Sequence, residues 1–305
     1  NWGIWATSLT DKDDKYFTYA LDMEEKRITP QGQTCFQPQV SPDGKHIAYL
    51  KDRTAVAVMD LKSGKEKILL DKSVNYSYSD GDQSFAWSPD SRFILCNWQG
   101  DGGWNNEDVA MIEVESGKIT NITQSGYSDG GFRWAMKGKA MTWTSDRAGY
   151  RSHGSWGAQR DVYIMFFDKE AFALFGQDKE DKEVKKLLST EKDLKAEKKD
   201  SVKKEEKGER LSPELADRHN RIIRLTPFSG SIGDHYLTED GKKLFFMART
   251  AKTMDLCELE IENMSFKIVA KSVSGIIYPS PDGKTLYILG GNGIMKMPAS
   301  GGNLD

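Results

Sequence analysis

Polar and apolar positions follow one order along most of this chain: a turn-forming cluster, a short apolar run, then another polar break. The clearest copy is Val40 to Leu50, where Ser41-Pro42-Asp43-Gly44 leads into Ile47-Ala48-Tyr49-Leu50. Pro presets φ, Asp can bond its own backbone, and Gly accepts a positive φ at little cost, so the four residues specify a turn. The apolar run behind it reads as a buried strand. The unit returns as Trp87-Ser88-Pro89-Asp90-Ser91 before Phe93-Ile94-Leu95, and in eroded form as Trp134-Ala135-Met136-Lys137-Gly138 before Ala140-Met141. Two more copies are Thr238-Glu239-Asp240-Gly241 before Leu244-Phe245, and Ser280-Pro281-Asp282-Gly283 before Leu286-Tyr287. Pro42 to Pro89 and Pro89 to Met136 are both steps of 47 residues, and Glu239 to Pro281 is 42. Only Met136 to Glu239, at 103 residues, is long.

A period of roughly 40–50 residues carrying about four short strands predicts an all-β fold, a six-bladed β-propeller with four-stranded antiparallel blades. One domain then covers 1–305, with the first and last blades incomplete. Residues 1–29 predict the outer strands of a blade, around Trp2-Ile4-Trp5 and over Lys15 to Leu21, whose inner strands are missing or supplied by the far end. The long step predicts a Lys/Glu-rich insert over residues 169–220, between the third and fourth strands of one blade. Its start, Glu170 to Phe175, reads as a short helix resting on the blade through Phe172 and Phe175. The run from Lys192 to Glu209 has almost nothing to bury, which favours a solvated excursion over a tether for a partner.

Antiparallel alternation divides the loops between two faces. Turns between strands one and two, and between three and four, share one face with the insert. Turns between strands two and three share the other with the links between blades. The second face receives the long Gly- and aromatic-rich segments 71–83, 99–107 and 145–160. These predict a binding or docking face, with Tyr76, Tyr78, Asp80, Asp101, Trp104, Arg147, Arg151, His153, Trp156 and Arg160 as its residues; mutual packing of the loops is the alternative. Tyr76, Tyr78, Trp104, Arg151, His153 and Trp156 are expected around one mouth of the channel. Arg147 is expected to pair with Asp161 at the base of its loop.

Composition changes this picture little. An apolar content of 38% supports a core, and the mean hydropathy of -0.61 is lowered by the charged insert. A net charge of -3 gives no bulk attraction to nucleic acid. No apolar run reaches membrane-spanning length. Cys35, Cys96 and Cys257 have neither disulfide nor zinc spacing, and the four histidines form no metal constellation. No cofactor is implied. Gly126-Tyr127-Ser128-Asp129-Gly130 matches Gly-x-Ser-x-Gly, but a nucleophile elbow needs a strand before it and a helix after it. Here a strand, Phe132-Arg133-Trp134, follows. The residues carry no catalytic set. Asn75, Asn121 and Asn263 open glycosylation-type triplets of a kind frequent by chance.

Four stretches carry a family resemblance: Asn75-Tyr-Ser-Tyr-Ser-Asp-Gly-Asp-Gln83, Thr123-Gln-Ser-Gly-Tyr127, Trp143-Thr-Ser-Asp-Arg147, and above all Arg151-Ser-His-Gly-Ser-Trp-Gly-Ala-Gln-Arg-Asp-Val-Tyr-Ile-Met-Phe-Phe167, followed by the charged insert. With these the chain resembles the second N-terminal propeller of tricorn-protease homologues, serine peptidases of the tail-specific (C-terminal-processing) type. The resemblance implies a non-catalytic domain that guides or sieves unfolded polypeptide toward a catalytic core outside this chain. Neighbouring PDZ-like and catalytic domains are then its partners, a homo-oligomer stays open, and neither nucleic acid nor membrane insertion is implied. It also implies a periplasmic or cell-envelope setting, with the cytoplasm as alternative. Two other readings remain: a TolB-like protein–protein interaction propeller, and the propeller of a prolyl-oligopeptidase-class dipeptidyl-peptidase.

Overall fold

The computed structural model describes residues 2–11, 13, 16–76, 83–101, 103, 105–151, 157–175, 177, 210–291 and 293–305. Its strands fall into six antiparallel sheets in chain order, so each sheet is a meander. Blade I holds β1 (Trp5–Leu9) and β2 (Met23–Arg27). Blade II holds β3 (Cys35–Val40), β4 (His46–Lys51), β5 (Ala55–Asp60) and β6 (Glu66–Leu70). Blade III holds β7 (Phe85–Trp87), β8 (Phe93–Trp98), β9 (Asp108–Glu113) and β10 (Ile119–Asn121). Blade IV holds β11 (Asp129–Ala135), β12 (Ala140–Ser145), β13 (Asp161–Phe166) and, after the insert, β14 (Ile222–Arg224). Blade V holds β15 (Ile232–Leu237), β16 (Lys243–Arg249), β17 (Met254–Glu260) and β18 (Ser265–Ala270). Blade VI holds β19 (Ile276–Pro279), β20 (Thr285–Gly290) and β21 (Gly293–Pro298). The fold is the six-bladed propeller that the repeat predicts.

The repeat is a hydrogen-bonded box. Ser41 Oγ donates to Asp43 Oδ1 at 2.7 Å and accepts the His46 N–H at 2.9 Å, while Asp43 Oδ1 accepts the Lys45 N–H at 3.1 Å. Ser88/Asp90, Thr238/Asp240 and Ser280/Asp282 repeat the same bonds. Each box satisfies backbone donors where the chain leaves the inner strand, and so fixes the register of the hairpin. Gly44, Gly241 and Gly283 take the left-handed position at φ near 70°. Ser91 takes it at 62° in blade III, and its hydroxyl accepts the Asp43 N–H of the neighbouring blade at 3.0 Å.

Blades meet through apolar sheet faces, which form five buried clusters: I on II, II on III, III on IV, IV on V, and V on VI. Side chains also stitch the inner strands together. Gln39 Nε2 donates to Phe85 O, Trp87 Nε1 to Gln39 O, and Trp134 Nε1 to Ala86 O, at 3.0, 3.0 and 3.1 Å. Arg133 pairs with Asp234 at 2.7 Å, and Asp234 also accepts the Ile277 N–H at 2.7 Å.

Helix α1 (Lys169–Phe175) rests Phe172 and Phe175 on Phe166, as the pattern predicts. One expectation is corrected. The segment read as a strand over Lys15 to Leu21 contains a 3₁₀ turn at Phe17–Tyr19, and the second strand of blade I is instead Met23–Arg27. Both faces of that strand are largely exposed, so its sequence shows no apolar alternation.

Lys192 to Glu209, expected as a solvated excursion, lie outside the described residues, while the return of the insert is built into the fold. Residues 210–221 form a strap across blades III and IV. Leu211 is buried against Gly138; its N–H donates to Asp90 Oδ2 at 2.9 Å and its carbonyl accepts from Arg92 Nη1 at 2.8 Å. Arg218 donates to the carbonyls of Ile122 and Asn121, and buried Arg221 to those of Phe166, Ala216 and Glu214. Among the described residues no helix is long and apolar enough to cross a membrane.

Candidate functional site

The face carrying the strand-two-to-three loops is assembled around residues 125–130, the link from blade III to blade IV. Two carboxylates at its base have fully buried side chains. Asp129 accepts from Ser125 Oγ at 2.6 Å and pairs with Arg147 at 3.1 Å. Asp146 accepts the Ser128 N–H at 3.0 Å and pairs with Arg151 Nε at 3.1 Å. Buried carboxylates demand such partners, because an unpaired charge there would cost several kcal/mol.

Three of the arginines singled out in the sequence converge on this link. Arg147 lies over the rings of Trp143 and Tyr163, at 5.3 and 4.9 Å. Arg151 covers the Tyr127 ring at 5.5 Å and donates to Gly126 O, Asn105 O and Asn106 Oδ1, the last a short contact. It therefore ties the 99–107 loop of blade III to the 146–151 segment of blade IV. Arg160 donates to Ser128 Oγ at 2.8 Å, and its backbone pairs with Gly230 at the entrance to blade V.

Asp101 stands on the same loop system. It accepts from Trp98 Nε1 at 3.0 Å and Asn121 Nδ2 at 2.8 Å, and the Asn121 bond is the leading cause of a carboxyl pKa below the usual range. Gln99 N–H donates to Val74 O at 3.0 Å, which couples this loop to the segment carrying half-exposed Tyr76. Tyr78, Asp80, Trp104, His153 and Trp156 lie outside the described residues. Of the six residues expected around one channel mouth, Tyr76 and Arg151 are described, both on this loop system.

Arg147 does not pair with Asp161. The register sets both Asp129 on β11 and Asp161 on β13 opposite Ser145, and Arg147, two residues on, turns to Asp129. Asp161 faces the next link instead, accepting from Arg224, Thr226 and Ser229. Ser128 sits in a link whose following element is β11, so the Gly-x-Ser-x-Gly match is not a strand-to-helix elbow. Asn121 spends its amide on Asp101 and Asp108.

Sequence reasoning missed a second repeat, a buried aspartate at the head of the third strand. Asp108 accepts from Thr123 Oγ1 at 2.9 Å and the Ser125 N–H at 3.0 Å. Asp161 accepts from Thr226 Oγ1 at 2.8 Å, and Asp255 accepts the Ser272 N–H at 2.8 Å. Each ties the start of its blade's third strand to the outgoing link, and so pins the loop face from beneath. The available signal was an Asp heading an apolar run in blades III, IV and V: Asp108-Val109, Asp161-Val162 and Asp255-Leu256.

The opposite face carries a groove of about 570 Å³ between blades II and III, lined by Asp43, His46, Asp60, Lys67, Arg92 and Glu113 among others. Lys67 already serves the carbonyls of Val114 and Glu115, and Arg92 those of Leu211 and the Glu113 carboxylate. Among the described residues, no group of three or more His, Cys, Asp or Glu is placed to hold a metal ion.

Neither protein-family models nor curated protein sequences give a match to this chain. Solved structures do. A tricorn protease structure is similar over 91% of this chain at a TM-score of 0.61 and 15% identity. TolB from Acinetobacter baumannii is similar over 92% at 0.51 and 19%, and a prolyl endopeptidase structure over 87% at 0.51 and 14%. At these identities the likeness shows the fold. The chain spans 26% of the tricorn protease chain and 58% of the TolB chain.

Proposed function

We propose that this chain is a non-catalytic propeller domain that holds extended polypeptide on its loop face and passes it to a peptidase core outside residues 1–305. The observation that carries the reading is Arg151, which joins the 99–107 loop, the 125–130 link and the 146–151 segment while its side chain stays partly exposed. A rim of polar groups and aromatic rings held by buried carboxylates suits a ligand of varied side chains and constant backbone. Peptide carbonyls and amides can be met by the Asn105–Asn106 and Ser125–Ser128 segments, and apolar side chains by rings such as Tyr76 and Tyr127.

The sequence resemblance to tricorn-protease homologues, and structural likeness to peptidases of which the matched part is a fraction, support the peptidase setting. The PDZ-like and catalytic neighbours and the envelope location belong to this same proposal. Hydrolysis by residues 1–305 alone is not expected.

Fluorescence anisotropy with a labelled, reduced and carboxymethylated protein tests the reading. Saturable binding is expected, weakened by Arg151→Ala, with no cleavage of the probe. Binding of the folded parent protein but not its unfolded form would favour a TolB-like interaction scaffold. Cleavage by the isolated chain would overturn the non-catalytic assignment.

A further inference from the structure

Successive blades meet in the same way on the turn face, and the two ends of the insert show what that joint can hold. In blades III, IV and V the residue leaving the third strand bonds back to the residue after the turn. Val114 N–H goes to Arg92 O at 2.9 Å, Phe167 N–H to Lys139 O at 2.8 Å, and Ile261 N–H to Lys242 O at 2.8 Å. Ser91, Gly138 and Gly241 therefore hold one equivalent position. At the III–IV joint, Leu211 of the strap lies on Gly138. Its N–H goes to Asp90 Oδ2, its carbonyl takes Arg92, and the Glu214 N–H goes to Phe167 O at 2.9 Å. At the IV–V joint, Phe175 of α1 lies 3.3 Å from where a Cβ of residue 241 would stand. Both joints are seats for an apolar side chain, set between the turn of one blade and the turn of the next.

The groove of about 570 Å³ lies in the same place at the II–III joint. Asp43 stands there for Asp90, Ser91 for Gly138, and Val114 for Phe167. Buried Val58 lines it, at the position on β5 that Met111 holds on β9. Met111 shares a cluster with Leu211. Ser91 brings a side chain where the other two positions have none, but its hydroxyl is turned to the Asp43 N–H, and the groove lies beside it. The volume falls within the roughly 300–1,000 Å³ of ordinary ligand sites. Charge sets this seat apart from the other two. Lys67 and Arg92 are spent on carbonyls and on Glu113. Asp43 Oδ2 meets Lys45 Nζ at 3.6 Å and Asp60 Oδ2 meets His46 Nε2 at 3.8 Å, both longer than a hydrogen bond. Glu115 adds a third carboxylate to the lining. These acceptors suit a cation, and Val58 with Val114 suits an apolar group beside it.

We propose that the groove between blades II and III is a docking seat for an extended segment of a partner polypeptide, carrying an aliphatic anchor next to a basic residue. The anchor lies on Val58 and Val114, its N–H goes to Asp43 Oδ2 as that of Leu211 goes to Asp90, and the cation meets Asp60 and Glu115. This seat reads a sequence, whereas the Arg151 face is suited to varied side chains. An unfolded chain made more acidic by carboxymethylation is a poor match for it. A second copy of this chain is the poorer occupant, because its Leu211 and Phe175 are already seated in its own joints.

The test is fluorescence anisotropy on the intact chain with a labelled, amidated peptide Arg-Leu-Ser-Pro, the sequence of residues 210–213. Saturable binding is expected. Replacing the peptide leucine by glycine, or its arginine by glutamate, should weaken it about tenfold or more. Asp43→Asn should do the same, since Asn keeps an oxygen for the turn box and gives up the charged acceptor. Asp240→Asn, the same change in the box of blade V, should leave binding unchanged and so controls for a weakened turn. Absence of binding, or binding that Asp43→Asn leaves intact, would overturn the proposal. So would tighter binding to Leu211→Ala, which would place the peptide in the strap's seat, or a concentration-dependent dimer dispersed by Asp43→Asn, which would make a second copy the occupant.

Discussion

Leu211 and Gly138 offer a direct way to ask whether the return of the charged insert is part of the fold. Leu211 is 7% exposed and belongs to the cluster between blades III and IV. Leu211→Ala should cost about 2–3 kcal/mol, the lower part of the range for buried leucines, because the strap keeps its bonds to Asp90 and Arg92. Gly138 has φ of +90°, and a Cβ there would come within 2.5 Å of Leu211 Cδ1. Gly138→Ala should therefore cost about 1–2 kcal/mol from the backbone and about 1–3 kcal/mol more from the overlap. The two losses are not independent. Once Leu211 is Ala the overlap is gone and only the backbone cost remains, so the double variant should be about 1–3 kcal/mol more stable than the sum of the singles. Urea unfolding followed by tryptophan fluorescence measures all three variants, with unchanged m-values as the condition for comparing them. Additivity within about 0.5 kcal/mol would refute the contact and detach the strap from blade IV.

Other expectations concern the joints of the ring. Trp134→Phe should lose about 1 kcal/mol, the value of the bond its indole N–H gives Ala86 O across the III–IV boundary; urea midpoints measure it. Asp161→Ala should lose about 3 kcal/mol, because it strips Arg224, Thr226 and Ser229 of a buried acceptor, and should speed exchange of the blade IV–V link. His235 is fully buried, with burial as the leading cause of a pKa near 4. The unfolded chain binds its proton near pH 6.5, so between there and 4 the unfolded state carries more protons and stability must fall as pH falls. The loss should reach a few kcal/mol by pH 4, and His235→Gln should flatten that part of the pH–stability curve.

The parts legible in the sequence are those written locally. Each turn box spans six residues and carries its own bonds, so Ser41-Pro42-Asp43-Gly44 and its copies announced both blade period and strand two. Met23–Arg27 was not legible, because a strand exposed on both faces leaves no alternation to read. The strap was hidden for another reason. Arg218 and Arg221 are held by backbone carbonyls up to 97 positions away, and carbonyls have no sequence identity. At the loop face the residue types were legible and the pairings were not. Asp161 looked like the partner of Arg147, but Ser145 lies between Asp129 and Asp161 in the sheet, and Arg147 turns to Asp129 while Asp161 is taken by Arg224, Thr226 and Ser229. Which of two flanking strands a side chain turns to is a tertiary fact that no local pattern near Arg147 encodes.

Exchange mapping of the chain with and without saturating unfolded, carboxymethylated polypeptide tests the central claim most directly. The account predicts slowed exchange at residues 99–107, 125–130 and 146–151, with the 570 Å³ groove between Asp43 and Glu115 unchanged. Protection confined to that groove, with the Arg151 loops unaffected, would contradict it.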